Sequence, residues 1–377
     1  MKSTKWLGLA ITLLMFPQIA QTLYSPALAD ISRAFAVGPQ QAAQTLSVYF
    51  LSFAFGVVVW GRLCDRIGRR PAMLSGLLLY AAASVLALTA RTFEALLVAQ
   101  VLAAFGAAVG SVVTQTLLRD RFSGAELAQV FSLVGIALAA SPAIGLFGGA
   151  SLVQSFGYRG VLGCLLLLSL GLALWSWRAL PETRPLHLAT AGLFETLWRM
   201  LRDLDLWRSA LLVAVFNIAL FSYYSLAPFM FERLGLSGRM FGYSGVILAL
   251  GSGLGAWVNK RLLRRGLTSA RLIRVAALSG LSGGVGVWLL QDSVLFVLAM
   301  LLVVLAFGMA IPNVLGSALS NYGDRLGTAG ALFGLLYYLL IGVGMLLAAW
   351  SQALGLTLLV CGSLGLLLAL MPREYRA

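Results

Sequence analysis

The chain has 377 residues, 60% of them hydrophobic and only 11% charged, with 27 basic against 13 acidic side chains and a mean hydropathy of +0.93. A soluble domain of this length would need far more charge on its surface, so most of the surface faces lipid and the chain is an integral membrane protein. The formal charge of +14 raises nucleic acid as a partner, but no basic face interleaved with polar and aromatic residues is present, and that class is excluded. Cys64, Cys164 and Cys361 are isolated and His187 is the single histidine, which argues against a disulfide framework, a metal site or a catalytic triad.

A helix that crosses a bilayer needs roughly 20 mostly apolar residues, and the chain offers about twelve such runs. The first, Trp6–Leu28, follows Lys2 and Lys5 and ends at Ala27-Leu28-Ala29, which has the form of a signal-peptide cleavage site. Its length and the many similar segments that follow predict a retained transmembrane helix instead. Ala42–Trp60, Pro71–Ala90, Glu94–Leu118, Leu127–Leu152 and Gly160–Leu180 complete a first set of six. The second set runs Arg208–Phe231, Met240–Val258, Arg271–Leu290, Val294–Ser317, Gly327–Trp350 and Ala353–Met371. Helix is the only option, because lipid-exposed backbone must satisfy its own hydrogen bonds and no barrel-like alternation is present.

Sorting basic residues by side places 22 of the 27 with the N-terminus, leaving Arg33, Arg91, Arg159, Arg233 and Arg239 on the other side. This asymmetry predicts that both termini are cytoplasmic. A single missed span would invert every later loop and destroy it. The longest hydrophilic stretch, Pro181 to Trp207, suits a cytoplasmic linker with an amphipathic piece lying on the membrane. It predicts three parts: a helical bundle at 1–180, the linker at 181–207 and a second bundle at 208–377. Gly61, Asp65 and Arg69-Arg70 are echoed by Gly255, Asn259 and Arg264-Arg265 after the eighth span, which suggests duplicated halves. Two such bundles are expected to rock about a site at their interface, giving alternating access.

Between the second and third spans stands GRLCDRIGRR, Gly61 to Arg70. Gly61 and Gly68 would permit tight turns and close backbone approach, and Asp65 would accept hydrogen bonds from a helix N-terminus or pair with arginines. A merely positive topogenic loop needs the arginines but neither Asp65 nor the glycines. The stretch resembles the motif A loop of the major facilitator superfamily, in the place where that family has it. The resemblance implies the major facilitator fold, an all-α membrane protein with twelve transmembrane helices in two six-helix bundles. It also implies a cytoplasmic latch for the outward-open state, built from Gly61, Asp65, Arg66, Gly68, Arg69 and Arg70. Arg119 or Arg121, beside Asp120 at the end of the fourth span, is the expected partner.

Further matches are similar to one branch, the drug:H+ antiporters typified by bicyclomycin and chloramphenicol resistance carriers. They are Leu23-Tyr24-Ser25-Pro26-Ala27-Leu28 with Gln44-Thr45-Leu46-Ser47, and Gly106 to Val113 leading to Arg119-Asp120. Gly135, Pro142, Gly145, Gly148 and Gly149 resemble the antiporter motif C of the fifth helix, without its Gly-Pro dipeptide. Ordinary glycine-mediated helix packing is the alternative for each. Gly157-Tyr158-Arg159 and Pro181-Glu182-Thr183 fall where the superfamily has G-W-R and P-E-T.

The departures bear on mechanism. Thr22 stands where this branch carries an aspartate, and Gln100 and Gln115 stand where arginines are expected. No charged residue lies well inside any span, although intramembrane ionisable groups are the usual proton relays. Coupling would have to use Asp30, Glu94, Glu232 or Asp324 nearer the ends, or protons carried by the substrate, or the carrier is an uncoupled facilitator.

Neutral polar and aromatic residues remain to line a cavity: Gln18, Gln21, Thr22, Tyr49, Gln100, Gln115, Asn217 and Tyr223 are the candidate substrate contacts. Thr114, Asn313, Tyr337 and Tyr338 share that character. Each also has an alternative as helix–helix glue, and Tyr24 and the Tyr223-Tyr224 pair have another in interfacial aromatic belts. These features predict a bacterial inner-membrane secondary transporter that exports a small amphipathic drug or secreted metabolite. It is expected to act as a monomer without cofactor or metal, with protons as a candidate coupling ion. An importer of a siderophore-like or nutrient molecule with the same fold is the alternative. An enzyme would need a convergent acid, base or nucleophile set, and none is found.

Overall fold

A computed structural model describes residues 6–184 and 193–371. Lys2, Lys5, His187, Arg373 and Arg376 lie outside the described residues, as do the side chains of Asp324 and Arg325.

The chain opens with α1, Leu7–Tyr24, which passes through a 3-10 turn at Ser25–Ala27 into the short α2, Leu28–Ala34. Pro26 lies in that turn and brings no N–H, so the first expected span changes helical geometry where its α-helical ladder loses a donor. α3, Pro39–Ile67, begins with proline in its first turn, and the Gly38 N–H donates to Gln41 Oε1 at 3.2 Å. α4, Arg69–Thr89, follows after one residue, Gly68. α5, Phe93–Arg121, is capped by Thr92, whose hydroxyl accepts the Ala95 N–H at 3.2 Å.

α6 runs from Gly124 to Ala179, 56 residues, with non-helical backbone at Gly157 (φ 63, ψ −168). That kink falls between the fifth and sixth expected spans, at a conformation that favours glycine. The second half contains α7 (Leu193–Leu201), α8 (Leu204–Arg233), α9 (Gly238–Arg264), α10 (Ser269–Leu290) and α11 (Phe296–Ala318). A 3-10 turn at Ser320–Arg325 then leads to α12 (Leu326–Ser351) and α13 (Leu354–Leu370).

Among the described residues ten helices are long and apolar enough to cross a membrane, and α13 is apolar but only 17 residues long. Leu167 and Leu250 are more than two-thirds exposed. Apolar side chains so exposed at mid-helix fit a lipid solvent rather than water.

The chain divides into two compact units, Met1–Ala189 and Thr190–Ala377. In the first, α1, α3 and α4 all pack on α5, and α6 packs on α1 and α4. Glycines set the closest approaches. A Cβ on Gly106 would come 2.7 Å from the Gly76 carbonyl oxygen, and one on Gly110 would come 2.6 Å from the Leu13 oxygen, so α4 and α1 both rest on glycines of α5. Gly145 and Gly149 of α6 press on Thr22 and on the Leu23 carbonyl, each without room for a methyl group, whereas Gly135 faces open space. The similarity to motif C is therefore physically a close α1–α6 crossing at two of its glycines. In the second unit α11 packs on α8, α9 and α10. Gly255 and Gly308 interlock α9 with α11, each set against the other helix's backbone.

Gly149→Ala is expected to force α1 and α6 apart and to cost about 1–3 kcal/mol. Gly135→Ala is expected to be neutral or stabilising by up to about 1 kcal/mol. Thermal unfolding of the two purified variants in detergent checks the contrast.

Candidate functional site

The segment expected to be a loop is mostly helix. Gly61 to Ile67 form the last two turns of α3, and only Gly68 breaks the helical path, with φ 106 and ψ 160. Arginines are good helix formers, and positive charge at a helix C-terminus is favoured by the macrodipole, so the run stays helical beyond the apolar span. Gly68 is required twice over. Its φ is open to few other residues, and a Cβ there would lie 2.5 Å from Glu182 Oε2. A Cβ on Gly61 would meet only ordinary contact, 3.5 Å from Val112, so Gly61 is not the point of tight approach.

Arg69, the first residue of α4, is the hub of this end of the unit. Its side chain is 2% exposed. Nε donates to Asp120 Oδ2 at 2.9 Å; Nη1 donates to Asp65 Oδ1 at 2.9 Å and to the Cys64 carbonyl at 3.0 Å. The expected partner of Asp65 is thereby corrected: it pairs with Arg69 across the break at Gly68, not with Arg119 or Arg121. Those two arginines are exposed, and Arg119 lies over the Phe131 ring. Arg66 is exposed as well, while Arg70 donates to the Trp177 carbonyl.

Glu182, beyond the end of α6, completes the arrangement. It accepts the N–H groups of Arg69 at 2.9 Å and Arg70 at 3.1 Å, capping the N-terminus of α4. It also accepts the N–H groups of Thr183 and Arg184, and the Thr183 hydroxyl donates to Asp120 at 2.8 Å. Partial burial pushes the Glu182 carboxyl up, but the N–H groups of Arg69, Arg184, Arg70 and Thr183 outweigh it and hold it below the usual carboxylate range. The ends of α3, α4, α5 and α6 thus meet in one charged network, and separating any of them means breaking it.

The second unit has an uncharged counterpart. Asn259, in the position that echoes Asp65, is buried and accepts a hydrogen bond from Asn313 Nδ2 at 2.6 Å. Asn313 is thus engaged between α9 and α11. Arg208 Nε donates to the Leu368 carbonyl at 2.7 Å and Arg274 Nε to that of Ala369 at 3.4 Å, so two arginines clasp the C-terminal carbonyls of α13.

The candidate substrate contacts are spread out. Gln18 is half-buried, and its carbonyl accepts the Thr22 hydroxyl at 2.8 Å; Thr22 is fully buried. Tyr49 donates to the Pro17 carbonyl at 3.3 Å and stacks on Phe53, drawing α3 to α1. Gln21, Ser47 and Thr114 are buried, and Gln21 Nε2, Ser47 Oγ and Thr114 Oγ1 have no hydrogen-bond partner among the described residues. Gln100 is buried, and Gln115 Nε2 donates to Ser111 Oγ at 3.3 Å. These two glutamines are about 22 Å apart along α5, so one small molecule cannot touch both at once.

In the second unit Asn217 Nδ2 donates to the Val213 carbonyl of its own helix at 2.7 Å. Tyr223 is fully buried against Phe241 and Phe296 and donates to Ser244 Oγ at 2.6 Å. That burial rules out an aromatic-belt position for it. Of the acidic groups near span ends, Asp30 pairs with Arg33 beside the Gly157 kink, and Glu94 and Glu232 are exposed.

Residues 10–345 match the Major Facilitator Superfamily. The chain belongs to that superfamily. It is 28% identical over 381 residues to Multidrug resistance protein D of Escherichia coli (strain K12), covering 98% of this chain and 93% of that protein. It is 30% identical over 341 residues to the Chloramphenicol resistance protein of Pseudomonas aeruginosa, covering 87% and 80%. Its fold matches the crystal structure of the POT family transporter PepTSo with a TM-score of 0.77 at 12% identity, over 98% and 97% of the two chains. This major facilitator chain is therefore a multi-pass membrane transporter and not an enzyme.

In this transporter the residue that sequence reading left out of the Arg69 network is Glu182, visible only as part of a Pro-Glu-Thr match 113 residues from Arg69. Arg69→Ala is expected to cost about 1–3 kcal/mol, because Asp120, its side chain 16% exposed, loses a charged partner and keeps the Thr183 hydroxyl. Asp65→Asn is expected to cost less than about 1 kcal/mol, since the Asp65 side chain is 40% exposed. Thermal unfolding ranks the two. The contribution of Glu182, whose pKa is depressed, is present above the ordinary carboxylate range and lost as pH falls through its lowered value. Glu182→Gln is therefore expected to melt below wild type at neutral pH, with the gap closing only in strong acid. Melting curves across a pH series read this directly.

Proposed function

We propose that this transporter is an exporter of small amphipathic organic molecules, neutral or zwitterionic, in the bacterial inner membrane. It has twelve spans, both termini in the cytoplasm, and works by alternating access as a monomer. The Arg69 network acts as its cytoplasmic latch, made in one state of the cycle and broken in the other.

The observation that carries the reading is the character of the spans. Among the described residues acidic side chains are confined to helix ends, while Gln21 keeps a buried amide donor without a partner. An unpaired buried donor costs about 1–3 kcal/mol, so its retention fits a group reserved for a ligand. Neutral amides suit uncharged organic molecules, whereas phosphates and dicarboxylates favour arginine clamps. The resistance proteins among the relatives support export. Thr22, bonded within its own helix and packed on Gly145, has no proton to exchange at working pH, which supports weak proton coupling.

Deleting the gene is expected to raise the intracellular level of the substrate in a broad metabolite profile, and Gln21→Leu to reproduce the deletion. Lowered uptake instead would mark an importer, and no change for any compound would remove the transport reading. In proteoliposomes loaded with a compound that accumulates on deletion, flux is expected to depend only weakly on an imposed pH gradient. Strong proton-driven flux that survived neutralising Asp30, Glu94, Glu232 and Asp324 in turn would refute the account of Thr22.

A further inference from the structure

α7 divides around its axis into three sectors. Thr196 and Met200, four residues apart, are 0% and 3% exposed, on a helix that packs on α12 and α8. Phe194, Trp198 and Leu201 follow one another at i, i+4 and i+7 and are 82%, 55% and 46% exposed. Glu195 and Arg199 occupy a separate polar strip, which Arg202 extends just past the helix end, and all three are exposed. A helix on a water-facing surface needs one apolar side. This one turns its apolar sector outward, while the protein covers the sector of Thr196 and Met200.

The same helix is fastened to its own unit by polar contacts. Arg199 donates to the Asn321 carbonyl at 3.2 Å and sits 5.1 Å above the Tyr322 ring. The Tyr322 hydroxyl donates to Asp203 Oδ2 at 2.9 Å, while Asp203 Oδ1 accepts the Leu206 N–H at 3.1 Å and caps α8. Tyr322 is 1% exposed. One clasp therefore joins α7, the start of α8 and the 3-10 turn Ser320–Arg325 that leads into α12.

We propose that α7 is a membrane-surface anchor whose partner is the lipid bilayer. Phe194, Trp198 and Leu201 insert at the headgroup–acyl boundary of the leaflet on the arginine-rich side, and the clasp holds the turn before α12 at that boundary. Three observations select lipid as the occupant. The outward sector continues through Leu204, 73% exposed, to the foot of α8, a helix that itself crosses the bilayer. Its large residues include a tryptophan and a phenylalanine, types suited to the interface. The Arg202 guanidinium lies 4.5 Å over the Trp198 ring, so its charge stands at the edge of the apolar sector, where phosphate groups begin. With only nine residues, α7 would not hold its helix alone in water. Protein on one side and lipid on the other supply what its length lacks. This inference rests on the membrane fold and is independent of substrate and direction.

The test uses the full-length protein in phosphatidylcholine nanodiscs. Nitroxide labels on Phe194→Cys, Trp198→Cys and Arg199→Cys are compared for collision with oxygen and with a water-soluble nickel chelate. Signal from the native cysteines, which lie within the helices, is subtracted with labelled wild type. Labels at 194 and 198 are expected to be open to oxygen and shielded from nickel, and the label at 199 the reverse. Nickel access at 194 and 198 would mean water on that face, and shielding from both reagents would mean a protein cover; each overturns the proposal.

A label-free arm isolates Trp198 emission as the difference between wild type and Trp198→Phe. Brominated acyl chains are expected to quench it, and no quenching overturns the anchor. For the clasp, Tyr322→Phe removes the bond to Asp203 and is expected to speed amide exchange in the 320–325 turn about tenfold. Unchanged exchange there would overturn the link between the anchor and the turn.

Discussion

Arg69 carries a full charge with its side chain 2% exposed, and the helix ends around it are arranged to meet that demand. A guanidinium removed from water is tolerated only when its donors are occupied by well-placed acceptors. Asp120, Asp65 and the Cys64 carbonyl take up the donors of Nε and Nη1. For Arg69 to reach all three, the chain must turn sharply between α3 and α4, which Gly68 accomplishes with a backbone conformation and a free space that suit glycine. The turn leaves the first N–H groups of α4 without helical partners. Glu182 takes two of them, bringing the end of α6 to the same point. One buried charge thus explains a glycine, three carboxylates and the convergence of four helices.

The second unit solves the corresponding problem without charge. Asn259 and Asn313 join α9 to α11 by a single amide hydrogen bond, at a crossing where Gly255 and Gly308 have already brought the backbones together. An amide pair is cheaper to bury than ions and insensitive to pH, but it ties two helices where the Arg69 network ties four. The two units therefore differ in what it takes to loosen them. Parting α3, α4, α5 and α6 at the Arg69 network must separate charges, whereas parting α9 from α11 at Asn259 breaks a neutral bond between two close-packed helices.

Much of this was legible from residue order. The apolar runs mark the spans to within a few residues because lipid enforces continuous helices of fixed minimum length. The Gly-x3-Asp spacing and the arginine pair mark the segment that holds the Arg69 network. Several roles were not legible. Residues Gly61–Ile67 look like a loop because they are charged, yet arginines at a helix C-terminus extend the helix. Asp65 has four nearby arginines by sequence and pairs with the one that Gly68 swings back toward it. Tyr223 and Asn313 look like cavity residues by polarity, but their partners Ser244 and Asn259 lie on a neighbouring helix and satisfy them. Gln100 and Gln115 look equivalent, and the helical rise separates them.

Composition and hydropathy were enough to establish a membrane protein built of helices, and the residues after the second span carried its resemblance to the facilitator family. These properties come from local chemistry, the affinity of each stretch for lipid or water, which needs no knowledge of neighbours. Who holds Arg69, why Glu182 matters, which glycines are contact points and which face of α7 is left uncovered were decided only by tertiary structure. Each depends on side chains far apart in the chain, as Arg69 and Glu182 are by 113 positions, meeting at helix ends. Their meeting is set by how the helices pack, and no local stretch encodes it.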